Sequence, residues 1–133
     1  MSVEKEYFRE QFKIYTSVGI SNEHLIYLQK INRNSNIKNT TMLKHLMVDT
    51  AVEINNDKKV DKQTWEEAIN VADRHVVMLK INSQIKRLID QVSSAYFLST
   101  SHFVRYTILK TYYQYYDRDN MKTAKVVSLG KLF

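Results

Sequence analysis

Two sets of alternating side chains carry the groups best suited to gripping a polar partner: Lys13, Tyr15, Ser17 and Gly19 in one segment, and Arg74, Val76, Met78 and Lys80 in another. In an extended chain, residues two apart point the same way, so each set lines the outward face of a strand. Lys and Arg are donors only, Ser and Tyr hydroxyls donate or accept, and Gly19 leaves room for close approach. Val76 and Met78 are poor choices for open solvent on a small sheet, which argues that something covers this face. Two further groups, Lys38, Asn39 and Thr40 and then Ser99, Thr100 and Ser101, stand where helices begin. A helix start presents unpaired N–H groups and partial positive charge, a seat for phosphate. Ordinary N-capping would use the same side chains, and the two uses are compatible.

Covalent and metal chemistry find little support. His24, His45, His75 and His102 are scattered, with no HExxH arrangement, so surface or half-buried histidines are expected and no metal site. There is no cysteine, hence no thiolate ligand, nucleophile or disulfide. No glycine-rich phosphate loop exists, and Glu66 with Glu67, or Asp117 with Asp119, read as helix and turn residues. Among the tyrosines at 112, 113, 115 and 116, helical phase assigns Tyr112 and Tyr115 to the core, which argues against a platform for stacked bases. No enzyme and no cofactor is expected. Lys plus Arg number 20 against 14 Asp plus Glu, a net charge of +6. That balance suits a polyanion, nucleic acid first and an anionic membrane surface second. The charged start MSVEKEYFREQ is unlike a signal peptide, and no apolar run approaches a membrane span, so a soluble cytoplasmic protein is expected.

The elements that must position these residues occur twice, 61 residues apart. Residues 13–54 and 74–115 share one pattern: an alternating strand ending at Ile20 or Ile81, a cap at Ser21 or Asn82, a helix, a polar break and a second helix. The inward strand sets are Phe12, Ile14, Thr16, Val18 and Ile20, and Val77, Leu79 and Ile81. Apolar stripes run through Tyr27, Leu28 and Ile31 in one first helix and Ile85, Leu88, Ile89, Val92 and Ala95 in the other, with His24 at the place of Ile85. In the second helices, Leu43, Met47, Thr50, Ala51 and Ile54 match Val104, Ile108, Thr111, Tyr112 and Tyr115. Each polar break carries one apolar residue, Ile37 or Leu98.

The spacing thus predicts one folded domain in five parts: an arm at 1–12, a first unit at 13–55, a helical linker at 56–73, a second unit at 74–117 and a basic-apolar tail at 118–133. In the linker, Thr64 and Glu67 form a T-x-x-E capping box, and Trp65, Ala68, Ile69 and Ala72 make an apolar side that packs on the body. A unit of about 45 residues without disulfide or metal is too small to bury an adequate core alone, and a lone two-stranded ribbon is marginal unless helices cover it. Joining two units in one chain makes their pairing intramolecular.

A short strand followed by two helices, with polar residues alternating outward on the strand, resembles the ribbon-helix-helix family of DNA-binding proteins. The resemblance covers both repeats, and it is closest over VMLKINSQIKRLIDQVSSAYFLSTSHFVRYTILKTYYQY. It implies a mainly α fold with a short two-stranded antiparallel β-ribbon, a tandem pseudo-dimer whose ribbon enters the major groove of double-stranded DNA. The base-reading set would be Lys13, Tyr15, Ser17, Gly19, Arg74, Val76, Met78 and Lys80. Lys and Arg suit guanine O6 and N7, Ser either base, and Val or Met a thymine methyl. Lys38, Asn39 and Thr40 with Ser99, Thr100 and Ser101 would clamp the backbone phosphates. Fused copies are similar to relaxosome accessory proteins at a plasmid origin of transfer, with several copies expected on adjacent repeats; a relaxase or another protein such as a toxin is the partner expected for the tail. A transcriptional repressor, copy-control or antitoxin-type regulator is the alternative on the same scaffold.

Overall fold

Alternation of Ile, Thr, Val and Tyr with polar residues makes KIYTSVGI and HVVMLKIN good half-buried strands, and they pair as β1 (Lys13–Ile20) and β2 (His75–Asn82) in one antiparallel ribbon. A computed structural model of the chain describes residues 13–69 and 73–116; the arm, Phe12, residues 70–72 and residues 117–133, which include the tail, lie outside them. Ser17 stands opposite Met78 at the middle of the ribbon, with Tyr15 opposite Lys80 and Gly19 opposite Val76. On the other face Val18, Ile20, Leu79 and Ile81 are buried. Each strand turns directly into a helix. Ser21 Oγ accepts from the His24 N–H while His24 Nδ1 accepts from the Ser21 N–H, and Asn82 Oδ1 accepts from the Ile85 N–H at 2.8 Å. These caps start α1 (Asn22–Asn32) and α4 (Ser83–Tyr96).

The second helices are α2 (Asn39–Asp57) and α5 (Thr100–Tyr116), and between the halves lies the short α3 (Lys62–Glu67). The described residues are therefore mainly helical with one two-stranded antiparallel sheet, as the sequence predicts. Packing crosses between the halves: α5 lies against β1 and α1, and α2 against β2 and α4. The apolar stripes of both first helices are thus completed by the opposite half, and Tyr27 of α1 stacks on Tyr112 of α5 with ring centroids 3.9 Å apart. Because α5 also meets α2, α3 and α4, it is buried nearly all round, from Phe103 to Tyr112.

Four expectations need correction. Asp61, not Thr64, caps the linker helix: its carboxylate accepts from the Thr64 N–H, and its own N–H donates to Tyr106 Oη at 2.8 Å. The Asp61 carboxylate takes both the Thr64 N–H and the Thr64 hydroxyl, so the helix starts three residues earlier and Thr64 serves inside its first turn. Tyr115 is 63% exposed and Ala95 is also exposed, because the last turns of α5 and α4 pack on the core through the next residues, Tyr116 and Tyr96. His24 and His102 are buried: His24 Nδ1 is hydrogen-bonded within the cap at Ser21, and both ring nitrogens of His102 are hydrogen-bonded, to the Leu98 N–H and the Trp65 carbonyl. Trp65 packs as expected, its Nε1–H donating to the Tyr96 carbonyl at the end of α4, but Ile69 stays 37% exposed.

Helix α2 ends at Lys58, whose φ of 59° is left-handed and whose N–H donates to the Ile54 carbonyl. Glycine takes that conformation without the roughly 1–2 kcal/mol penalty of a Cβ. Lys58→Gly is expected to raise the urea midpoint by an amount equivalent to about 0.5–1 kcal/mol, the remainder being offset by glycine's greater unfolded-state freedom. A lowered midpoint would show that the lysine side chain contributes more than the strain it carries.

Candidate nucleic-acid interface

The outward face of the ribbon is open. Tyr15 is 64% exposed, Val76 65% and Met78 55%, and Lys13, Ser17 and Lys80 are exposed beside them. Three of these sit on β1 and three on β2, and the antiparallel register brings all six to one side. Lys80 Nζ lies 5.9 Å from the centroid of the Tyr15 ring directly across the ribbon, a cation–π approach that steers both side chains.

Gly19 and Arg74 behave differently from the other six. Gly19 is buried, its N–H donating to Ser101 Oγ at 2.9 Å and its carbonyl accepting from Arg105 Nη1 at 2.8 Å. Arg74 precedes β2, and its side chain lies across Gly19: a Cβ built there would sit 2.3 Å from Arg74 Nε. Glycine at this place therefore makes room for a guanidinium of the same chain, and Arg74 covers the backbone that an open ribbon would present.

Both ends of the ribbon hold a pair of cations at equivalent places. Lys44 of α2 donates to the Lys80 carbonyl at 3.1 Å, and Arg105 of α5 donates to the Gly19 carbonyl; the two donors and the two acceptors are each 61 residues apart. Burial first, then the Lys13 and Lys80 ammonium groups, pushes the Lys44 pKa below the ordinary lysine value. Burial and Arg74 act on Arg105 in the same sense. Lys13 and Arg74, themselves 61 residues apart, thus each face a second basic group. Such like-charge pairing costs stability in water and favours an anion between or beside the groups. Sequence reasoning missed Lys44 and Arg105; the signal was present, a basic residue at the same place in both second helices.

The two helix starts are less alike than the repeat predicts. Lys38 is the N-cap of α2 and makes no side-chain cap bond, while Asn39 Oδ1 accepts from Asn32 Nδ2. At α5, Ser99 Oγ accepts from the His102 N–H and Ser101 Oγ is taken up by Gly19. Thr40 and Thr100 are half-buried. The start of α5 is in this way tied to β1, and α2 reaches the opposite end of the ribbon through Lys44, so the helix starts flank the ribbon at its two ends.

Among the described residues no group of three or more His, Asp or Glu is placed to hold a metal ion, and no helix is long and apolar enough to cross a membrane. Compared with protein-family models, curated proteins and solved structures, the chain matches none, so the reading of its function rests on the geometry above.

Proposed function

We propose that this chain is a sequence-specific double-stranded DNA-binding protein, a tandem ribbon-helix-helix pseudo-dimer that lays its β-ribbon in the major groove. The observation that carries the reading is the ribbon itself: one face sealed by the core, the other an exposed row of Lys13, Tyr15, Ser17, Val76, Met78 and Lys80, with a basic pair at each end. A two-stranded ribbon fits the major groove, and this row combines donors for guanine with apolar groups for thymine methyls. The basic ends and the flanking helix starts then lie where the phosphate backbones pass. A bare solvated sheet would not need Val76 and Met78 outward. Within this class we assign an accessory role at a plasmid origin of transfer, with several molecules on adjacent repeats and the tail at 118–133 available to a relaxase.

Selection of duplexes from a random pool tests the DNA reading. Lys80→Ala is expected to relax preference at one base pair and weaken the selected site by about 1–3 kcal/mol, leaving nonspecific duplex binding nearly unchanged. Thr40→Ala or Thr100→Ala should instead weaken all duplexes alike. An unchanged sequence preference in the Lys80 variant would remove the ribbon as the reader. The accessory role is checked by whether the selected sequence recurs in the transfer origin of the replicon that encodes the chain.

A further inference from the structure

Resting on the DNA-binding reading, we infer that the ribbon is a polar reader: it takes a non-palindromic duplex subsite in one orientation, with a guanine under its Tyr15–Lys80 end and a thymine methyl under its Val76 end. The register makes the two ends comparable. Ser17 faces Met78 at the centre, and the repeat offset of 61 carries the Tyr15–Lys80 pair onto the Val76–Gly19 pair on the other side of that centre. In a symmetric dimer these two pairs would be identical and would read the same base in each half-site. Here they are chemically opposite. At one end an exposed lysine and a phenol hydroxyl project together, donors suited to guanine O6 and N7. At the other, a branched apolar side chain, 65% exposed, stands across from a glycine that offers no side chain and lies under Arg74.

The outer positions do not cancel this difference. Lys13 and Arg74 are repeat equivalents, both cationic and both exposed, so each end offers the DNA backbone one free-standing cation. Phosphate contacts place the ribbon without carrying sequence information; only the inner pairs and the Ser17–Met78 centre discriminate bases. Turning the molecule end for end would keep the phosphate contacts, put Val76 against guanine acceptors left without a donor, and put Lys80 against a methyl group. Neighbouring molecules bound in one sense would accordingly occupy direct repeats.

The experiment uses the full chain and the subsite enriched from a random duplex pool. Each half of that subsite is mirrored to give two palindromes, whose binding is compared with the natural order. The absence of cysteine allows a second readout: Asn36→Cys, in the exposed turn before α2, the helix whose Lys44 holds the Lys80 carbonyl, carries a tethered DNA-cleaving chelate. Both palindromes are expected to bind more weakly by about 5- to 150-fold, the cost of one misread base pair, and cleavage is expected on one flank only. A palindrome that binds as well as the natural subsite, or cuts of equal strength on both flanks, overturns the polar reading while leaving sequence-specific binding intact. Failure to enrich any duplex overturns the DNA-binding reading, and the polar reader with it.

Discussion

Arg105→Met is expected to lower the stability of the fold by about 3–5 kcal/mol, whereas Lys44→Met, its equivalent in the other half, should cost less than about 1 kcal/mol. Arg105 is 7% exposed, and its guanidinium donates to three carbonyls: Ala68 at 2.7 Å, Gly19 at 2.8 Å and Ile69 at 3.5 Å. Two of these carbonyls belong to the end of α3 and its exit, the third to β1, so a single side chain joins the linker to the ribbon. Charge-assisted hydrogen bonds contribute about 1.5–3 kcal/mol each, and a buried acceptor left without a donor loses that contribution outright. Methionine fills the volume, which isolates the lost bonds from a cavity effect. Lys44 makes one exposed bond to Lys80, which water can replace. Since a domain of this size is stable by only about 5–15 kcal/mol, the arginine change removes a large part of the total. Urea denaturation of the two variants measures both effects. Equal losses would mean that the two clamps carry equal structural weight, and that Arg105 has no special part in holding the linker.

The fold is also expected to weaken as pH falls from 7 to 5, before most carboxylates titrate. His24 is 2% exposed, with Nδ1 accepting from the Ser21 N–H and lying 2.7 Å from Ser21 Oγ. Burial chiefly, then the Arg105 charge, against a smaller opposing effect of Asp73, lowers its pKa from 6.5 to about 4. Between those values the unfolded chain takes up a proton that the folded chain refuses, so stability is complete above about 6.5 and is lost as pH drops toward 4. At about 1.4 kcal/mol per pH unit, the full loss from this group is about 3 kcal/mol, of which about 2 falls between pH 6.5 and 5. His102, also lowered by burial, acts in the same direction. The variant that decides the matter is His24→Gln, because glutamine serves the same place in a capping box and does not titrate. It should match the natural chain at pH 7 and exceed it by about 2 kcal/mol at pH 5. If the two pH profiles run parallel, His24 is not the source of the acid sensitivity.

The duplication, the strand ends at Ile20 and Ile81, the caps at Ser21 and Asn82, and the stripes through Leu28, Ile31, Leu88 and Ile89 were legible in the sequence because each is a short-range property. Periodicity and capping depend on neighbours within a turn or a strand. The outward positions of Tyr15, Ser17, Met78 and Lys80 followed from the same alternation, and the structure brings them to one exposed face. What the sequence could not reveal depends on residues far apart in the chain. Gly19 alternates like an outward residue, yet the start of α5 binds its N–H, Arg105 its carbonyl, and Arg74 lies over it. The sequence sets His24 at the place of Ile85 on the first-helix stripe but reads it as surface or half-buried, because nothing local says that α5 packs against α1. Tyr115 shares the helical phase of Tyr112, but phase gives only a direction, and in the last turn of α5 it is Tyr116 whose ring packs on Tyr112. The sequence by itself thus determined which faces the elements own. The tertiary structure alone decided which faces meet, because the energy of those contacts lies between segments that no local pattern connects.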